Sequence, residues 1–103
     1  MLAEVLEQLD PQPGETIVDA TAGRGGHAVD IARRITPEGR LILFDLDKEN
    51  LAYATERVRA ETGLEPIGIE GSFASVGREM KLLGYVADGL LADLGFSSNQ
   101  LKQ

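Results

Sequence analysis

The chain has no cysteine and a single histidine among its 103 residues. The first absence excludes disulfides, thiolate nucleophiles and cysteine-ligated zinc, and the second leaves too few imidazoles for a histidine-rich metal site. No metal is expected. Long apolar runs are also missing: none approaches the ~20 residues that a bilayer-spanning helix requires, and the first residues, with Glu4 and Glu7, lack the basic start of a signal peptide. A soluble, cytoplasmic protein is therefore expected. Positive charge is scarce, with 10 Lys plus Arg against 17 Asp plus Glu and a net charge of −7. Such a surface repels a phosphate backbone, so any grip on nucleic acid must come from a local patch or from further sequence.

What remains is ordinary for a globular protein: 43% hydrophobic and 26% charged residues, with no low-complexity segment or linker. Residues 1–103 form one domain, small enough that folding hides only about 60–65% of the surface the unfolded chain exposes. Leu2, Val5, Leu6 and Leu9 follow the spacing of one helix face, which Asp10-Pro11-Gln12-Pro13-Gly14 interrupts. Thr16-Ile17-Val18-Asp19 reads as a strand, Ala22-Gly23-Arg24-Gly25-Gly26 as a glycine turn, and Ala28, Ile31, Ala32 and Ile35 as a second helix face. The unit then repeats. A turn at 36–39 leads to a strand at 40–44, and Asp47 caps a helix that turns Leu51, Ala54 and Val58 inward and ends at a left-handed Gly63. A third strand covers 66–70. Ser75 caps a short helix with Val76, Met80 and Leu83 on one side, Gly84 ends it, and a fourth strand covers 86–93. Strands alternating with helices at this spacing imply an α/β fold with a parallel sheet.

In open parallel sheets ligands bind beyond the carboxyl ends of the strands. Here those ends carry Asp19, Asp45, Gly71 to Phe73, and Asp93. Gly23, Gly25 and Gly26 let the first turn approach a ligand without a Cβ in the way, although a tight turn with no ligand would use them equally. Gly23, Gly25 and Ala28, followed by Asp45, also fit a dinucleotide-binding pattern. Asp19 argues against that alternative, because a carboxylate ending the first strand would oppose a pyrophosphate at the next helix start. S-adenosylmethionine carries no phosphate, and its sulfonium and ammonium groups favour a nearby acid. Asp45 is placed to accept hydrogen bonds from ribose hydroxyls with either ligand. His27 sits in the first helical turn, either against the methionine part of the ligand or as a partly exposed helix-start residue. Phe73 is a candidate for packing beside an adenine ring or for simple core, while Glu70 and Asp88 read as solvated or capping acids.

Taken together, "VDATAGRGGHAVDIARRI", "GRLILFDLDKENLAYA", "IEGSFASV" and "DGLLADLGFSSNQL" resemble the bacterial small-subunit ribosomal RNA (cytosine N4)-methyltransferase family over nearly the whole chain. That family usually has a basic residue where Leu46 stands and proline where Asn99 stands. The resemblance implies a Rossmann-like S-adenosylmethionine-binding half-fold, a four-stranded parallel sheet in the order 3-2-1-4 with flanking helices. It implies Gly25, Gly26, His27, Asp45, Phe73, Asp93 and Gln100 as cofactor contacts, beside Asp19 and Gly23 from the strand-end argument. It also implies methyl transfer to an exocyclic base nitrogen of small-subunit rRNA. An acceptor at the carboxyl end of strand four would assist by hydrogen-bonding that amine's N–H, and Asp93 is the candidate there, the alternative being a purely cofactor-binding role. Family members continue well past Gln103, so this chain is expected to be the N-terminal part. Strand four would then be an unpaired edge, inviting a homo-oligomer through it. A half-fold binding or structural module without turnover is the alternative.

Overall fold

The computed structural model describes residues 7–20, 25–36, 38–93 and 98–102, without the side chains of Phe73, Asp93 and residues 98–102. Its centre is β1 (Thr16–Asp19), buried at every position, as a continuous apolar, β-branched run in the middle of a parallel sheet should be. β2 (Arg40–Asp45) lies beside it, with Ile17 opposite Leu41 and Asp19 opposite Leu43. β3 (Ile67–Glu70) adds to the outer side of β2, and β4 (Gly89–Asp93) to the other side of β1. These four strands are parallel and stand in the order 3-2-1-4, as the resemblance implies.

The sheet does not stop there. β5 (Ser98–Lys102) pairs antiparallel with β4, Leu91 opposite Gln100 and Asp93 opposite Ser98, giving a five-stranded sheet β3-β2-β1-β4-β5. The expectation of an open strand-four edge is thus corrected. The outward N–H and C=O groups of β4 need partners, and the chain supplies them itself by returning after residues 94–97. Self-association through the edge of β4 loses its basis, because that edge is already occupied. β4 is also shorter than expected, beginning at Gly89. Val86 is 79% exposed, and Asp88 clasps Thr16, its carboxylate accepting from the Thr16 N–H at 2.8 Å and its own N–H donating to the Thr16 carbonyl at 2.7 Å.

Helices cover the two faces unequally. α1 (Gly26–Ile35) and α2 (Lys48–Thr62) pack on one face, where Ala28, Val29, Ile31, Ala32, Ile35, Leu51, Ala54 and Val58 meet Ile17, Leu41, Leu43 and Leu91. The first helix of the sequence reading is described only from residue 7 onward, and its Leu9 is fully buried in the same core. On the opposite face the one described helix is α3 (Val76–Leu83), with Val76 and Met80 against Val18, Ile42 and Phe44 and with Tyr85 and Ala87 packed beside them. Eight residues of helix cannot cover five strands, so Ile67, Ile69 and Leu90 stay partly exposed there. Leu83, expected to face inward, is 37% exposed.

Chain chemistry explains the helix ends. The Asp47 carboxylate accepts from the Glu49 and Asn50 N–H groups at 2.8 and 3.4 Å, satisfying two donors that an α-helix start leaves unpaired. Gly63 ends α2 in the left-handed region with φ 77°. Ser75 stands in the capping position of α3 but makes no cap hydrogen bond. Its hydroxyl donates backward to the Ser72 carbonyl at 2.8 Å, within a 3-10 turn over Phe73–Ser75, so the expected Ser75 cap is corrected.

Candidate functional site at the carboxyl ends of the strands

Strand register brings the predicted acids to one region. Asp19 is level with Leu43 on β2 and with Leu91 on β4, and side chains at paired positions of parallel strands share a face. Leu43 and Leu91 belong to the core under α1 and α2. Asp45, two residues beyond Leu43, therefore lies on the face that Asp19 uses. Asp93, two residues beyond Leu91, ends β4 opposite Ser98, and Gln100 pairs with Leu91 on β5 rather than occupying a loop. One row thus runs across the sheet from Leu43 through Asp19 and Leu91 to Gln100.

Asp19 is fully buried, and the Ala20 N–H beside it donates to the Leu91 carbonyl at 2.7 Å, holding the end of β1 against β4. Asp45 is half-buried, and its Oδ1 accepts from the Asp47 N–H at 2.7 Å, which fixes the carboxylate where β2 passes into α2. Glu70 is exposed at the end of β3, opposite Asp45. His27 is the second residue of α1 and half-buried.

The two described glycines of the first turn differ. Gly25 caps α1 at φ 92°, ψ 12°, and a Cβ there would lie 3.2 Å from the Ala54 Cα on α2. It is glycine for backbone reasons and for close packing. Gly26 is exposed, and a Cβ on it would meet nothing within 4 Å among the described residues. α1 begins without a side-chain cap and without an acid in its first turn. Gly23 and the Phe73 side chain lie outside the described residues.

Two features escaped the sequence reading. Gly71 donates its N–H to the Asp45 carbonyl at 3.0 Å, tying the ends of β2 and β3 together, and Ser75 packs directly over it. Asp88 caps no helix but holds a neighbouring strand, and nothing in its local sequence points to the backbone of Thr16, 72 residues away. A shallow groove between α2 and β3, lined by Lys48, Leu51, Thr55, Arg59 and Gly68, lies along the edge of the sheet. Among the described residues no cluster of His, Asp and Glu could hold a metal ion, and no helix is long and apolar enough to cross a membrane.

The comparisons with known proteins agree with this architecture. Ribosomal RNA small subunit methyltransferase H of Trichlorobacter lovleyi is 46% identical over 100 residues, covering 95% of this chain and 31% of the relative. The chain thus spans about a third of the length of such curated relatives. Among solved structures, PH0851 superposes with a TM-score of 0.71 at 28% identity over 91% of this chain and 21% of its own. A SAM dependent methyltransferase from Aquifex aeolicus superposes with a TM-score of 0.57 at 21% identity over 69% of this chain and 38% of its own, a likeness of fold. The family model of the MraW methylases matches residues 1–103, and the chain belongs to the MraW methylase family.

Proposed function

We propose that this chain is the cofactor-binding part of an S-adenosylmethionine-dependent rRNA methyltransferase, acting on an exocyclic cytosine nitrogen of small-subunit RNA in the complete protein. The observation that carries the reading is the placement of two strand-end carboxylates, Asp19 and Asp45, on one face of the sheet, beside the helix that starts after Gly25. The donor set fits a ligand of mixed charge. Asp19 suits an ammonium or sulfonium group, the positive end of the α1 dipole suits a carboxylate, and Asp45 suits a ribose diol. Apart from its neighbours in the chain, no described residue stands within 4 Å of where a Cβ on Gly26 would lie. A dinucleotide would instead set its pyrophosphate near buried Asp19, an unfavourable pairing.

The cofactor supplies, when bound, a methyl group activated by the sulfonium. Gly23, Gly25, Gly26, His27, Asp19, Asp45, Phe73, Asp93 and Gln100 are the residues assigned to holding it. Transfer to an amine needs alignment more than a strong base. Asp93 is assigned a second task, accepting a hydrogen bond from the target amine N–H, which leaves the nitrogen lone pair more available for attack. The chain's acidity makes small-subunit RNA a partner of the complete protein more than of this part. A methyltransferase acting on rRNA would work in the cytoplasm, where the cofactor and rRNA meet.

Calorimetry on the folded chain tests the reading, with S-adenosylhomocysteine and NAD titrated side by side. Saturable heat with the first and none with the second is expected, and Asp45→Asn should weaken it. No heat at millimolar S-adenosylhomocysteine, or a preference for NAD, would sink the assignment.

A further inference from the structure

We infer that Gly71 and Ser75 form a positioning pair that sets the loop after β3 against Asp45, and so controls affinity for the adenosine half of the cofactor. The inference rests on the cofactor reading above and goes beyond it, since neither residue is among the assigned contacts.

The conformation of Gly71 does not require glycine, because its φ lies outside the left-handed region. Space requires it. A Cβ on Gly71 would lie 2.8 Å from the Ser75 Oγ and 3.8 Å from the Phe44 Cδ2, and the first distance is shorter than any normal contact. The Ser75 hydroxyl therefore sits where the side chain of residue 71 would be. From there it donates to the Ser72 carbonyl at 2.8 Å, and the Ser75 N–H donates to the same carbonyl at 3.0 Å. Two donors on one acceptor draw residues 72–75 into a tight turn. The turn is anchored at its other end by the Gly71 N–H on the Asp45 carbonyl at 3.0 Å.

The consequence is a rigid link. Residues 72–74 leave the carboxyl end of β3 beside Asp45, and their backbone path is set by a hydroxyl that a Ser at a helix start would normally give to the helix. Here the helix start forgoes its cap and the loop gains a clip. Ser75 is partly buried and Ser72 likewise, so the clip lies at the surface of the fold and is not a core contact. Removing it should loosen the loop without unfolding the sheet.

A double-mutant cycle tests this with Ser75→Ala, Gly71→Ala and the combination, each measured by urea unfolding and by calorimetry with S-adenosylhomocysteine and methylthioadenosine. Loss of one ordinary hydrogen bond predicts that Ser75→Ala raises both dissociation constants about fivefold, by the same factor, because the two ligands share the adenosine half. Gly71→Ala should be at least as damaging, since its methyl group displaces the hydroxyl. The double variant should be no worse than Ser75→Ala, because the added methyl then occupies the vacated space. If Gly71→Ala alone fails to fold, Ser75→Ala and the double variant carry the test, and the double variant should bind both ligands no more weakly than Ser75→Ala. A purely structural role would lower the urea midpoint and leave both dissociation constants unchanged, overturning the inference. So would additive losses in the double variant. Absence of binding by the unsubstituted chain would instead overturn the cofactor reading and the inference with it.

Discussion

Adjacent glycines in the first turn should respond to the same substitution with opposite signs. Gly25→Ala places an L-residue at φ 92°, which costs about 1–2 kcal/mol. It also sets a methyl group 3.2 Å from the Ala54 Cα and 3.4 Å from its Cβ. Those atoms belong to the middle of α2 and yield little, so overpacking adds about 1 kcal/mol. The total, about 2–3 kcal/mol, is a large share of the stability of a small domain and lowers the melting temperature by roughly 10–20 °C. Gly26→Ala adds a methyl group that touches nothing within 4 Å, at a first helical position where alanine is favoured over glycine, so stability should hold or rise by about 0.5 kcal/mol. Urea unfolding followed by far-ultraviolet circular dichroism measures both. Equal costs for the two variants, or a loss below about 0.5 kcal/mol for Gly25→Ala, would refute the argument. The pair also separates folding from binding: Gly26→Ala should weaken S-adenosylhomocysteine binding in calorimetry while leaving the fold intact.

Asp47→Ala removes the acceptor for two N–H groups at the start of α2 and should cost about 1 kcal/mol in urea unfolding; a neutral result would mean that water replaces the cap fully. The Arg59 guanidinium, by hydrogen bonding and then by charge, holds the Glu65 carboxyl below the usual carboxylate range. A depressed acid stabilises the fold above its unfolded pKa, and the contribution fades as pH falls through the folded value. The gap in urea midpoint between the unsubstituted chain and Glu65→Gln should therefore be widest near neutral pH and close on acidification. It should also shrink at high salt, both groups being exposed. A gap that widens in acid would contradict the assignment.

Much of the fold was legible because it is local. The run Thr16–Asp19 is apolar and β-branched, Asp47 precedes a helical pattern, and Gly63 follows one; each signal acts within a few residues, and each element forms where its signal lies. The acids ending β1 and β2 were legible for the same reason, since each marks the point where an apolar run stops. Their common face followed only from register, which pairs Asp19 with Leu43 and is set by packing on both sides of the sheet.

Features that join distant segments were not legible. Ser98–Lys102 has little strand character of its own, and it becomes β5 because β4 presents unpaired backbone groups to it. Ser75 carries the sequence mark of a helix cap, yet the space above Gly71 draws its hydroxyl the other way. Asp88 meets Thr16 only because β4 is threaded beside β1. By itself the sequence determined the kind and order of the elements, through propensities and apolar spacing that act over one or two turns of chain. The tertiary structure alone decided which edge was covered, which hydroxyl met which carbonyl, and which carboxylates shared a face, because those depend on where the backbone of another segment passes.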